Sequence, residues 1–321
     1  MTTQTPAPAE VLRRLELTIT RRLDGLLHGD HRGLVPGHGS DPGEARIYHH
    51  GDDVRRIDWN VTARTRQLHV RETIADRELE TWLLVDLSAS LQFGTALRQK
   101  RDLALEAASA VAFLTGKGGN RLGAVLARGG ERAEIVPARG GREHVRAVLH
   151  RVVTAEIEDG SGPTDLGAAI DRLSRAARRR GLTVVISDWL DESLLPDRLT
   201  GVVADAAWEP ALRRLALRHE VLCVEIVDPR ELELPDVGVI ELVDPETGAT
   251  REIQTADAGL RTRFASAAAA RRSALALTFR RTGADHLVLR TDQDWLRELV
   301  LFVTTRRDRV AALDRGRTRP T

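Results

Sequence analysis

Short apolar runs alternate with amphipathic segments through the middle of this chain. Predicted strands cover 81–87, 121–127, 133–137, 182–188 and 221–227, and predicted helices cover 96–114, 141–153, 165–179 and 209–218. Buried strands separated by helices are typical of a sheet whose two faces are both covered by helices. The second and third strands are joined by a glycine turn without a helix, so one of them must run antiparallel. The sequence therefore predicts an α/β fold, a doubly wound and mostly parallel Rossmann-like sheet with one antiparallel edge strand.

Further elements flank this central region. Helical periodicity predicts an N-terminal helix over 8–27, and two strand-like pieces follow at 46–50 and 67–73. A hairpin is predicted at 239–255, followed by a helix at 258–281, a strand at 286–290 and a closing helix at 294–314. We predict two parts: an N-terminal helix, loop and small β extension over 1–75, and an α/β domain over 76–321 with a hairpin insertion near 238–256.

Composition constrains the expected cellular compartment and the classes of binding partner. Charged residues make up 30% of the 321 residues but nearly cancel, to a net charge of +1, which argues against nucleic acid and anionic membranes as partners. Cys223 is the single cysteine and lies in an apolar run, which predicts a buried thiol and excludes an intramolecular disulfide. No apolar stretch reaches the length of a membrane span. A cytoplasmic protein without a membrane span is the expectation.

Oxygen-bearing side chains follow the predicted strands at three separate places. They are Asp86, Ser88 and Ser90 after the first strand, Thr164 before a helix, and Asp188 after a later strand. Open α/β sheets bind ligands at the carboxyl ends of their strands, so these side chains are expected to converge. Oxygen ligands suit Mg²⁺, and Mn²⁺ is also possible. With at most two carboxylates, the cation would stay electrophilic and keep a position for an outside carboxylate.

Each of these residues also has a simpler structural interpretation. Ser88, Ser90 or Thr164 could cap the following helix, and Asp188 could be an ordinary turn residue. Asp165 fits the N-terminal end of a helix dipole better than a metal ligand. The occurrence of all five in this order, each at a strand end or helix start, favours a metal site.

Two motifs carry a resemblance to known families. The spacing Asp86-Leu87-Ser88-Ala89-Ser90, followed by Thr164 and Asp188, resembles the metal-ion-dependent adhesion site of von Willebrand factor A (VWA) domains. The segment from Tyr48 to Arg64 resembles the signature of the bacterial domain-of-unknown-function 58 family, with His50 where that family more often has proline. The resemblance implies a VWA-like fold, frequent association with MoxR-type AAA+ ATPases, and a partner's Asp or Glu at the metal.

The Tyr48 to Arg64 segment also has a physical interpretation of its own. Acidic and basic residues alternate through it, which predicts fixed ion pairs, with Trp59 as a packed lid. These residues are Asp52, Asp53, Arg55, Arg56, Asp58 and Arg64. The segment would either brace the long loop before it or contact a partner, since arginine suits both roles.

Enzymatic alternatives are weaker. The chain has no Gly-x-Ser-x-Gly elbow, and five histidines within residues 28–50 lack the compact spacing of a zinc site. A Mg²⁺-dependent phosphohydrolase with Asp86 as nucleophile and Asp188 on the metal is the remaining enzymatic alternative. Ser88 stands where dehalogenase-like phosphatases have a second aspartate. We therefore expect a non-enzymatic, Mg²⁺-dependent protein interaction module, acting as partner or adaptor of a MoxR-type AAA+ ATPase in a chaperone or assembly role.

Overall fold

The computed structural model describes residues 7–27, 45–48, 54, 57–71, 79–116, 119–156, 162–194 and 205–317. The chain divides into two compact units. The larger comprises Met1–Leu34 and Leu79–Thr321, and the smaller comprises Val35–Glu78. The N-terminal helix α1 (Pro8–Leu27) belongs to the larger unit. The predicted division at residue 75 lies near one unit boundary, and as a statement about domains it stays a prediction.

The smaller unit contains β1 (Ala45–Ile47), α2 (Trp59–Thr65) and β2 (His69–Arg71). The two strands pair antiparallel, which confirms the two strand-like pieces. Asp58 caps α2 by accepting hydrogen bonds from the backbone N–H groups of Asn60 and Val61, at 3.1 and 3.2 Å.

The predicted lid is wrong, because Trp59 is 67% exposed. It occupies the first position of a helix that buries none of its residues. A seven-residue helix without a buried face gives its first side chain nothing to pack against. Asp52, Asp53, Arg55 and Arg56 lie outside the described residues.

The larger unit has strands and helices close to the predicted ones. They are β3 (Glu80–Asp86), α3 (Lys100–Thr115), β4 (Arg121–Ala127), β5 (Ala133–Gly140), α4 (Arg142–Thr154), α5 (Leu166–Ala176), β6 (Leu182–Ser187), α6 (Glu209–Ala216), β7 (Glu220–Val227), β8 (Val239–Val243), β9 (Thr250–Gln254), α7 (Ala258–Thr282), β10 (Asp285–Arg290) and α8 (Trp295–Arg317). The hairpin insertion is the antiparallel pair β8 and β9.

Six of these strands form the central sheet in the order β10-β7-β6-β3-β4-β5. Every neighbouring pair is parallel except β4 with the edge strand β5. The predicted fold class is confirmed. The antiparallel pair forms because a short turn can only return the chain beside the strand it has left.

Helices cover both faces of the sheet. Helix α1 contacts α3, α4 and α8 on one side, and α6 contacts α5 and α7 on the other. The second side holds an aromatic cluster of Trp189, Trp208 and Phe279, with ring centroids 4.8–5.6 Å apart. All seven residues of β3 are buried, as expected for the centre of a sheet covered on both faces.

Two further expectations can be compared with the structure. Cys223 is buried in β7, and burial raises the pKa of its thiol well above the usual value. Within the described parts of the chain, no helix is long and apolar enough to cross a bilayer.

The parallel strands place three aspartates at one edge of the sheet. Asp86 ends β3, Asp188 follows β6, and Asp228 follows β7. Asp228 accepts hydrogen bonds from the backbone N–H and hydroxyl of Thr95 at 2.8 and 2.6 Å, and from the Thr291 hydroxyl at 2.8 Å. It therefore fastens the loops after β3 and β10 to the end of β7.

Candidate metal site

Asp86 is the centre of the candidate site. It is 2% exposed, at the carboxyl end of the middle strand. Its Oδ1 accepts hydrogen bonds from the backbone N–H of Ser88 at 3.0 Å and from the hydroxyl of Thr164 at 2.8 Å. Its Oδ2 accepts one from the hydroxyl of Ser187 at 2.7 Å. Neutral donors thus surround this carboxylate, and no described basic side chain pairs with it.

The two serines lie beside this carboxylate. Their hydroxyls are 3.0 Å apart and both residues are buried. A short 3₁₀ helix (Ala89–Gln92) begins after Ser88, yet the Ser88 side chain makes no capping hydrogen bond. The capping interpretation of Ser88 is therefore wrong, and its hydroxyl faces the site. The Ser90 hydroxyl also helps to lower the pKa of the Asp188 carboxyl.

Thr164 reaches the site through an interaction between two loops. The backbone N–H of Gly130 donates to the carbonyl of Pro163 at 2.9 Å, and that of Asp165 donates to the Gly130 carbonyl at 3.0 Å. This pairing places Thr164 against Asp86. The capping role belongs to Asp165, whose carboxylate accepts from the Ala168 N–H at 2.8 Å, so the capping interpretation of Thr164 is wrong.

Asp188 has a charged partner that the sequence analysis did not identify. The ammonium of Lys100 lies 2.8 Å from Asp188 Oδ2 and 2.5 Å from Glu231 Oε1. Lys100 is the first residue of α3 and is completely buried. A cation of the chain itself therefore sits next to one of the two candidate carboxylate ligands.

Sequence reasoning missed Lys100, Ser187 and Glu231, but one signal was present. Among 48 basic residues, only Lys100 and Lys117 are lysines. A compact ammonium fits between two buried carboxylates where a planar guanidinium would need a wider opening. Lys100 is thus one of two positions in the chain where an ammonium stands in place of a guanidinium.

The charges of the site perturb one another. Burial raises the pKa of Asp86, and the nearby Asp188 carboxylate raises it further. Burial alone would also raise the pKa of Asp188, but the Lys100 ammonium outweighs this and holds it below its usual value. Burial raises the pKa of Glu231 as well. The site thus holds more buried negative charge than Lys100 neutralises.

This arrangement fits a hard divalent cation. Asp86, Asp188, Ser88, Ser90 and Thr164 bring carboxylate and hydroxyl oxygens to one place, with Ser187 as an additional hydroxyl. Those are the donors that Mg²⁺ and Mn²⁺ take in proteins. Among the described residues, no three His, Cys, Asp or Glu side chains form a group placed to hold a metal. The hydroxyls therefore carry the argument for a cation here.

The sheet order, the antiparallel edge strand and the polar carboxyl edge define a VWA-like α/β domain. The chain belongs to the family described as "Protein of unknown function DUF58", which its residues 44–274 match. Uncharacterized protein Rv1480 of Mycobacterium tuberculosis is 53% identical over 302 residues, covering 94% of this chain and 90% of that protein. Uncharacterized protein Mb1516 of Mycobacterium bovis has the same identity and coverage.

The chain also resembles solved structures, two of which are described here by their identity and coverage. The conserved hypothetical protein BatB from Bacteroides thetaiotaomicron is 14% identical, with 72% of this chain and 99% of that chain covered and a TM-score of 0.42. The SpRpn10 VWA domain is 12% identical, with 69% and 93% covered and a TM-score of 0.36.

Proposed function

We propose that this chain is a Mg²⁺-dependent protein interaction module that recognises an acidic residue of its partner. The single observation that supports this most is the convergence of two buried carboxylates with three hydroxyls at the carboxyl edge of the sheet. Asp86, Asp188, Ser88, Ser90 and Thr164 are the proposed ligands, and a cytoplasmic location is part of the proposal.

The negative charge of the site favours a divalent cation. Asp86, Asp188 and Glu231 together with the Lys100 ammonium carry a net charge of −2 when all are ionised. A bound Mg²⁺ would bring this charge to zero in a region of low dielectric, where an uncompensated charge is costly. The partner's carboxylate would then fill a coordination position that the chain leaves open, as the resemblance to the metal-ion-dependent adhesion site implies.

We further propose that the partner is a MoxR-type AAA+ ATPase and that this chain is its adaptor in chaperone or assembly work. The support is the family resemblance carried by the segment from Tyr48 to Arg64. A cation with one open position gives such a partner a specific and reversible attachment point for a single Asp or Glu.

Calorimetric titration of Mg²⁺ and Mn²⁺ tests the cation. We expect saturable binding to the wild-type protein and none to the double variant Ser88→Ala, Ser90→Ala. The matched control is Ser266→Ala, Ser273→Ala, which removes two exposed hydroxyls from α7. Full affinity in the first double variant would overturn the proposal.

Co-precipitation with a MoxR-type AAA+ ATPase of the same genome tests the partner. We expect capture in Mg²⁺, loss in EDTA, and loss with the Ser88→Ala, Ser90→Ala protein but not with its control. Capture of the ATPase that is unchanged by EDTA and by the serine substitutions would contradict a cation-mediated contact.

Catalysis by Asp86 has less support. Ser88 stands where dehalogenase-like phosphatases have a second aspartate, so the acid or base that would assist Asp86 is missing. Turnover of any member of a phosphate-ester panel that Asp86→Asn abolishes would instead favour the phosphohydrolase alternative.

A further inference from the structure

A cleft of about 570 Å³ lies between the edge strand β5 and the C-terminal half of α5. Five arginines line it, and Glu80 is the single acidic residue among the described residues of its lining. The arginines are Arg121, Arg172, Arg175, Arg178 and Arg179. When all six side chains are ionised, the lining has an excess of four positive charges. We call this feature the arginine cleft.

The acidic side chains of the surrounding elements are engaged elsewhere. Glu80 is 6% exposed and accepts a hydrogen bond from the indole N–H of Trp82 at 2.7 Å. Asp171, the acidic residue of α5, pairs with Arg214 of α6 at 2.8 Å. The Arg121 guanidinium donates to a backbone carbonyl of β5 at 2.7 and 3.2 Å, and that contact does not neutralise its charge.

Three of the arginines form no ion pair within the described part of the chain. They are Arg172, Arg175 and Arg178, and the last two are exposed. On the neighbouring helix α6, by contrast, Arg213 contacts Glu209 at 2.8 Å. Like charges gathered in one cleft repel one another, and an outside anion relieves that repulsion.

The side of the cleft formed by β5 is apolar. Ile135 is 45% exposed and Pro137 is also exposed, and both line the cleft. Trp82 is the aromatic residue among the described lining and is 4% exposed, so it offers no ring face for stacking on a nucleic-acid base. Basic side chains beside apolar ones therefore favour a protein segment over a nucleic acid.

We propose that the arginine cleft is a docking surface for an acidic segment of a partner protein, with apolar residues between its carboxylates. The carboxylates pair with Arg172, Arg175 and Arg178, and the apolar side chains cover Ile135 and Pro137. A guanidinium binds a carboxylate through two parallel hydrogen bonds, which gives these pairs a defined geometry. The surface needs no cation, so this inference goes beyond the proposed function.

Fluorescence anisotropy in EDTA tests the surface. The labelled probe is a peptide of alternating glutamate and valine, and its counterpart alternates lysine and valine. The variant is Arg175→Glu, Arg178→Glu. The matched control is Arg13→Glu, Arg14→Glu, which reverses two exposed charges on α1, across the sheet from α5.

We expect the glutamate peptide to bind the wild type and the control, and to bind the Arg175→Glu, Arg178→Glu protein on the order of tenfold more weakly. Arg175→Gln, Arg178→Gln should lose affinity by a smaller factor, and it replaces the first variant if charge reversal prevents folding. No binding of the glutamate peptide to the wild type, equal affinity for the variant and the control, or equal binding of the lysine peptide would overturn the proposal.

Ile135→Ala distinguishes a protein segment from a nucleic acid. It should weaken binding of the glutamate–valine peptide and leave a peptide of alternating glutamate and glycine unaffected. A single-stranded oligodeoxynucleotide that binds more tightly than the peptide, and that responds to Arg175→Glu, Arg178→Glu but not to Ile135→Ala, would identify the cleft as a nucleic-acid surface instead.

The test is independent of the candidate cation site. The Ser88→Ala, Ser90→Ala protein should bind the glutamate peptide as the wild type does. Failure of the peptide to bind in EDTA would leave the proposed function standing, and failure of Mg²⁺ to bind would leave the arginine cleft standing.

Discussion

Replacing Lys100 with methionine is the most informative perturbation of the candidate site. Methionine has a similar length and no charge, so Asp188 and Glu231 would keep their places and lose their cation. The ammonium lies 2.8 Å from Asp188 and 2.5 Å from Glu231, and it is fully buried. We expect a large loss of stability that a divalent cation partly restores.

The geometry sets the size of this loss. At an effective dielectric of about 20, charges 2.8 Å apart attract by about 6 kcal/mol before desolvation is subtracted. A carboxylate left alone can escape by taking a proton. For a carboxyl group with a usual pKa of 3.8, this costs about 4 kcal/mol at pH 7. The protonation cost lies within the ~3–5 kcal/mol lost when one partner of a buried ion pair is removed, and the Coulomb attraction exceeds that range because desolvation has not been subtracted.

Urea unfolding in EDTA and in Mg²⁺ would measure the stability loss and its recovery by the cation. We expect Lys100→Met to lose ~3–5 kcal/mol in EDTA and clearly less in Mg²⁺. The deficit should shrink as pH falls, because Asp188 is then more easily protonated in the folded variant. In a double-mutant cycle with Glu231→Gln, the two losses should add to more than the loss of the double variant. A stability loss below about 1 kcal/mol in EDTA would refute the reasoning, because that is the contribution of a solvent-exposed ion pair.

Three further predictions concern single residues. Asp165→Ala should lower stability by ~1 kcal/mol through loss of the α5 cap, with Mg²⁺ affinity unchanged, whereas Thr164→Val should weaken Mg²⁺ binding in calorimetry. Phe279→Ala should cost ~3–5 kcal/mol in urea unfolding, because it opens a cavity beside two tryptophans; a loss near that of an exposed substitution would contradict the packing. Burial lowers the pKa of His219 from 6.5, so the unfolded chain binds the proton first and stability should fall as pH drops through that value. His219→Leu should remove this pH dependence of the melting temperature; an unchanged profile would contradict it.

The candidate site was only partly predictable. Asp86, Ser88, Ser90, Thr164 and Asp188 could be proposed because each stands at a strand end or helix start, and parallel strands bring such positions to one edge. In the structure Thr164 donates a hydrogen bond to Asp86, and the hydroxyls of Ser88 and Ser90 are 3.0 Å apart. Their role as metal ligands stays a prediction.

The predictions from sequence failed where one local pattern is compatible with more than one tertiary arrangement. Trp59 was expected to pack because it is large and apolar, but α2 buries none of its residues and leaves it exposed. Thr164 fits a helix cap as well as Asp165 does, and only the pairing of its loop with Gly130 decides which of them caps.

The sequence by itself determined the layered sheet, its antiparallel edge strand and the inserted hairpin. Apolar periodicity and turn residues act over a few neighbouring positions, so they can be recognised in one dimension. Only the tertiary structure placed Lys100 against Asp188 and Glu231, which are 88 and 131 residues away along the chain. Such contacts depend on where separate elements meet, and no local pattern encodes the charge that a distant loop will bring to the site.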